Sequence, residues 1–172
     1  RVDRGPTPRT PSYTVSRVAV PITGVQAGAN QLEASASYDD NDATAWENDG
    51  KLSTAWIAYE LGKPAMITEV VLKLNRFRTR SYPLIITIDG KTVFRGDSAL
   101  SLGYFTVHFP PVRGSRVRIQ LDGRSSEKAK HQEKELSGKT LGDGVGNDAS
   151  DKRVSGTLAL IEVEIYGPVG NA

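Results

Sequence analysis

The chain of 172 residues contains no cysteine, one methionine, two histidines and two tryptophans. Without cysteine there is no disulfide, no thiolate metal site and no thiol nucleophile. The histidines offer little for acid–base catalysis. His108 alternates within a strand-like run and reads as a strand-surface residue, and His131 sits in a charged run and reads as solvated. No apolar run approaches the roughly 20 residues that span a bilayer, and no secretory leader is visible. Charge of one sign is missing as well. Lys and Arg number 22 against 20 Asp and Glu, a formal net charge of +2. That balance argues against a dedicated nucleic-acid binder, which carries a basic excess on one face. No G-x-S-x-G elbow, H-E-x-x-H pair or phosphate-binding loop occurs. A start at Arg1 and not at Met fits an excised or processed piece of a longer protein.

A long helical period is also lacking, and alternation takes its place. Val70, Leu72 and Leu74 share one face, and Val71 and Lys73 the other. Leu84, Ile86 and Ile88 alternate up to Asp89-Gly90, after which Thr92-Val93-Phe94 returns. Asp-Gly tolerates φ > 0 at both central positions of a type I′ turn, so this segment predicts a hairpin. Phe105/Val107/Phe109, Val117/Ile119/Leu121 and Ile161/Val163/Ile165 repeat the same period of two. The pattern predicts an all-β sandwich. With 38% hydrophobic residues the chain can fill one sizeable core. Residues 1–17, rich in Pro, Thr, Ser and Arg, read as a linker or lead-in, 18–168 as the domain, and 169–172 as a tail. Residues 124–156 read as a long charged insertion before the last strand. The best helical candidate, Ser125 to Leu136, lies there and is too polar to bury a face.

Both tryptophans flank one stretch, WENDGKLSTAW, from Trp46 to Trp56. It reads as a plain connection, a metal-binding loop or the rim of a ligand site. Asp49, Thr54 and the carbonyls of a tight turn are hard oxygen donors that suit Ca²⁺, yet Asp-Gly also closes turns on itself. Asp39, Asp40 and Asp42 cluster nearby, as do Glu47 and Asp49, and paired carboxylates can run glycoside hydrolysis, although nothing marks one of them as buried. The loop NRFRTRSYP places Arg76, Arg78 and Arg80 beside Phe77 and Tyr82, and Tyr104 ends another loop. Aromatics with arginines and acids on loops suit a sugar, whose ring offers an apolar C–H face and in-plane hydroxyls. They also suit a basic loop kept soluble by its charges.

Ala34-Ser35-Ala36-Ser37-Tyr38, then Asn48-Asp49-Gly50-Lys51-Leu52-Ser53-Thr54-Ala55-Trp56 leading into a strand ending Leu61-Gly62, resemble the opening of a discoidin-like domain. This is the coagulation factor 5/8 type C family, which includes the family 32 carbohydrate-binding modules. The later strands at Ile67–Leu74, Tyr82–Gly90, Arg116–Ile119 and Ile161–Gly167 match in order, so the resemblance covers roughly 25–167. It implies a jelly-roll β-sandwich, galactose-binding-domain-like, of about eight strands. It also implies a structural Ca²⁺ held by the carbonyl of Trp46, the carboxylate of Asp49, the carbonyl of Lys51, the carbonyl and hydroxyl of Thr54, the carbonyl of Ile161 and the carboxylate of Glu162. Lys51 departs from the acid or amide often found there.

The runs Ser37–Asn41, Thr54–Ile57, Arg76–Leu84 and Ser101–Tyr104 further resemble an accessory domain near the C-terminus of large bacterial family 2 glycoside hydrolases, which are β-galactosidase-like. The resemblance implies a non-catalytic module of a secreted, periplasmic or cell-surface enzyme. Its partners would be a glycan, galactose-containing or acidic, and the parent's catalytic domain. The ligand-binding candidates are Tyr38, Trp46, Glu47, Arg78, Arg80 and Tyr104. Trp46 or Tyr104 would stack on the ring, and Arg78 or Arg80 would bind hydroxyls, a sulfate or a uronate. One alternative is a structural domain that packs on the catalytic domain and binds no sugar. Another is a protein- or lipid-binding discoidin domain with Leu52 and Leu102 as spikes.

Overall fold

The computed structural model of the chain describes residues 17–75, 80–98, 103–123, 126–127 and 156–170. Among them the strands are β1 (Arg17–Ala19), β2 (Gly24–Ala27), β3 (Trp46–Glu47), β4 (Trp56–Leu74), β5 (Arg80–Ser81), β6 (Pro83–Ile88), β7 (Lys91–Asp97), β8 (Phe105–Leu121), β9 (Ser126–Glu127) and β10 (Ala159–Pro168). Pairing is antiparallel in the order β1-β10-β4-β8-β6-β7, with β2 on β4 and β3 on β10. The helical candidate begins instead with β9, which pairs β5. Residues 124–125 and 128–155 lie outside the described residues, as do 76–79, Arg78 among them, and 99–102, Leu102 among them.

Two long strands make both layers of the sandwich. Trp56–Glu60 of β4 pair Arg116–Gln120 of β8 in one layer, and Ala65–Leu72 pair Phe105–Gly114 in the other. The ribbon folds over between them. Four β4 residues, 61–64, lie opposite Ser115 alone, and Gly62 takes φ 78°, open to residues without a Cβ. Period-two patterning predicts two strands in Phe105–Leu121. The structure joins them through Pro110-Pro111, because the prolines fall in a bulge. Phe109–Pro111 oppose Thr68 alone, so neither proline owes the ladder a donor.

The alternation fixes which face is inside. Ile57, Tyr59, Ile67, Val70, Leu72, Leu84, Ile86, Ile88, Val117 and Ile119 are all buried in one core. The hairpin turn forms as expected, with Asp89 at φ 47° and Gly90 at φ 85°. Gln31–Tyr38 is a 3₁₀ segment. Its buried residues, Ala34 and Ser37, are three apart, the period of that helix. The Ser37 hydroxyl meets the buried Tyr59 hydroxyl at 2.7 Å. Burial pushes the Tyr59 phenol up, so it stays protonated. Because the ribbon folds back, Trp56 and Leu74 end up at the same end of the sandwich. There Gly28 N–H bonds to Trp56 O at 2.9 Å, and Leu160 pairs both Trp46 and Leu74.

Candidate functional site

That end carries the candidate site. The segment Asp39–Thr44 is a turn held by its own side chains. Asp39 Oδ1 accepts from Asn41 N–H at 3.0 Å and Asn41 Oδ1 from Ala43 N–H at 3.0 Å, two successive Asx turns. The Thr44 hydroxyl donates to Asp39 Oδ2 at 2.6 Å. That bond holds the Asp39 carboxyl below its ordinary range. The turn projects Asp42 toward Lys73 of β4, and the two pair at 2.5 Å. Asp42 raises the Lys73 ammonium pKa. Lys73 Nζ also lies 5.4 Å from the ring centre of Tyr104, which is 45% exposed just ahead of β8. Tyr104, Lys73 and Asp42 therefore form a rim of a flat ring, a cation and a carboxylate.

Beneath the rim lies Glu162 of β10, buried at 4% exposure. Its Oε1 accepts from Asn41 N–H at 3.1 Å. Burial pushes its carboxyl up to about 7, and the neighbouring carboxylates of Asp39 and Asp40 push the same way. The outer sheet face continues with Glu164, which accepts from the Tyr166 hydroxyl at 2.5 Å, and with Glu69 between Arg17 and His108. His108 is thus an exposed strand-surface residue, as its alternation suggests.

The WENDGKLSTAW loop is separate from this rim. Asp49 Oδ1 accepts from Lys51 N–H at 3.1 Å and from the Thr54 hydroxyl. Those bonds hold the Asp49 carboxyl below its ordinary range, the Thr54 contact most of all. The loop thus brings Asp49, Lys51 and Thr54 together. It does not bring them to the Glu162 carboxylate. Asn48 N–H bonds to Leu158 O at 3.2 Å, so the loop abuts the segment before β10. Glu162 lies four residues further along, on the order of 12 Å at a strand's rise, and faces Asn41. Glu162 therefore stands apart from Asp49, Lys51 and Thr54, and the donors that the loop does bring together do not fit the set implied for the cation.

Of the proposed sugar contacts, Tyr104 stands on the rim, and Tyr38 is half-buried with its ring edge-on to Tyr59 at 5.9 Å. Glu47 is exposed on β3. Arg80 lies in β5, and Arg78 is outside the described residues. Trp46 needs correction. Its side chain is fully buried and its indole N–H donates to Ala29 O at 2.9 Å, so it is a core residue and cannot stack on a ligand. Sequence reading missed Lys73 as a rim residue because its position in the alternation marks only an outward face. It missed Asn48 because an Asn before Asp-Gly looks like turn chemistry.

The model of the F5/8 type C domain matches residues 21–135, more than half of the chain. The chain belongs to this family. The fold of this F5/8 type C domain also matches solved structures. The family 32 carbohydrate-binding module of AlyQ, in complex with 4,5-unsaturated mannuronic acid, superposes with TM-score 0.62 at 17% identity, covering 86% of this chain and 97% of that one. The family 32 module of NanJ from C. perfringens, in complex with galactose, gives 0.56 at 17% identity, covering 87% and 98%. A truncated AlyQ with its alginate lyase domain gives 0.63 at 16% identity, and the chain spans only 34% of that protein. At such identities the match establishes the sandwich fold. No curated protein sequence matches significantly.

Proposed function

We propose that this F5/8 type C domain is a carbohydrate-binding module that holds glycan at the loop end of the sandwich and does no chemistry on it. The observation that carries the reading is the exposed Tyr104 ring beside the Lys73–Asp42 pair. An aromatic face takes the apolar C–H patch of a sugar, and a charged pair held in place supplies a donor and an acceptor to adjacent hydroxyls. The structural neighbours in complex with galactose and with an unsaturated mannuronic acid support the same reading. The described rim sets Asp42 against Lys73 and adds Glu164 near Tyr104, with no further cation among the described rim residues, so a neutral, galactose-containing glycan fits it better than a uronate. The parent would be an exported bacterial glycoside hydrolase, with the catalytic acids on another domain.

The test is a glycan array on the whole chain, followed by calorimetry on each hit. Tyr104→Ala is expected to weaken binding about tenfold, the equivalent of about 1.4 kcal/mol of lost stacking. Its melting temperature should stay unchanged, because the ring is exposed. A folded protein that binds no glycan, or a Tyr104→Ala protein that binds as wild type, would sink this assignment. In that case the accessory-domain reading gains. It has its own support in an apolar groove of about 410 Å³ at the opposite end, lined by Val18, Val20, Pro21, Leu61 and Ala65 where the ribbon folds over.

A further inference from the structure

Asn48, the third residue of the WENDGKLSTAW loop, is buried at 4% exposure, and both polar atoms of its side chain are used. Its Oδ1 accepts from Leu158 N–H at 2.8 Å, which fixes the orientation of the amide. Its Nδ2 then donates to Lys51 O at 2.9 Å and Gly156 O at 2.9 Å, with the Thr54 hydroxyl oxygen at 3.3 Å. Two carbonyls and a hydroxyl thus converge on one point, as donors do around a hard cation. The point is taken by an amide nitrogen. Two of those oxygens, Lys51 O and Thr54 Oγ1, belong to the set implied for calcium, and the third comes from the segment just before β10.

We propose that the side-chain amide of Asn48 takes the place of the cation, so that the loop is fastened to the 156–158 segment without metal. The chemistry is consistent at each atom. An amide N–H supplies the partial positive charge that the carbonyls need, and its two hydrogens serve the two oxygens at 2.9 Å. The carbonyl half of the same amide satisfies a donor that a cation would repel. The Thr54 hydroxyl donates to the Asp49 carboxylate, which also accepts from Lys51 N–H, so that carboxylate is already engaged without a cation. Lys51, in place of an acid or amide, adds positive charge where a calcium site needs negative. The backbones are also in close contact. A Cβ on Gly156 would fall 2.4 Å from Leu52 N, so glycine is needed for the two segments to meet.

Thermal melts of the whole chain in chelator and in millimolar calcium decide the matter, with terbium(III) luminescence sensitised by Trp46 and Trp56 as a direct probe of metal. Wild type is expected to melt at the same temperature in both and to give no sensitised emission. Asn48→Ala strands two carbonyls and the Leu158 N–H, and should lower the melting temperature by about 6–12 °C in both buffers. Asn48→Asp replaces the donor by a carboxylate among acceptors. It should melt low in chelator, recover in calcium and give terbium emission. A wild-type melting temperature that rises with calcium, or wild-type terbium emission, overturns the proposal. So does an Asn48→Asp protein as stable as wild type in chelator. If Asn48→Ala does not fold, the wild-type titration alone is decisive.

Discussion

Trp46→Ala is expected to cost about 3–5 kcal/mol of stability, the range for emptying a large aromatic site in a core. For a chain of this size that is a fall of roughly 10 °C or more in melting temperature. The reason is position. The indole is fully buried, at the seam where β3 pairs β10, and its N–H is bonded to Ala29 O. Trp46→Phe separates the two contributions. It keeps most of the ring volume but strands the Ala29 carbonyl, so about 1–3 kcal/mol should be lost. Urea unfolding followed by circular dichroism measures both. The folded fraction of either variant should bind glycan as wild type does. A Trp46→Ala protein of unchanged stability that no longer bound glycan would put the ring on the rim and not in the core.

Glu162→Gln should stabilise the domain at pH 8 and leave it unchanged near pH 4. Burial raises the Glu162 carboxyl from 4.5 to about 7. Between those values the folded state keeps a proton that the unfolded state has lost. The folded state then binds more protons, so stability falls as pH rises, and the loss is complete above about pH 7. A glutamine carries no charge and avoids that loss, while its Oε1 still accepts from Asn41 N–H and its amide can donate to Asp39. The expected gain at pH 8 is about 1–3 kcal/mol, from about 1.4 kcal/mol per pH unit with allowance for solvent relaxation around the rim. Chemical unfolding of both proteins from pH 4 to 8, with chelator present, gives the two curves. They should meet at low pH and separate as pH rises. Parallel curves would show that Glu162 titrates like an ordinary carboxylate.

The same two residues show where sequence reasoning reaches and where it stops. The strands were legible because a half-buried strand has a period of two, and Leu84-Ile86-Ile88 and Val117-Ile119-Leu121 keep it without interruption. The hairpin at Asp89-Gly90 was legible because a left-handed turn has a narrow chemistry. The family itself was legible in the order of Asp49-Gly50, Thr54, Trp56 and the closing Ile161–Gly167 run. The fold-over of the β4–β8 ribbon was not, since Pro110-Pro111 looks like a break until its partner strand shows that the prolines occupy a bulge.

Local pattern therefore determined the strands, the core face and the sandwich. Tertiary structure decided the rest, because burial and partners depend on residues far apart in the chain. Whether Trp46 faces solvent depends on Ala29 and Leu160, and whether Glu162 reaches the Asp49 loop depends on the register of β10 against β3. Whether Asn48 ends a turn or fills a cradle of oxygens depends on Gly156 and Leu158, more than a hundred residues away along the chain.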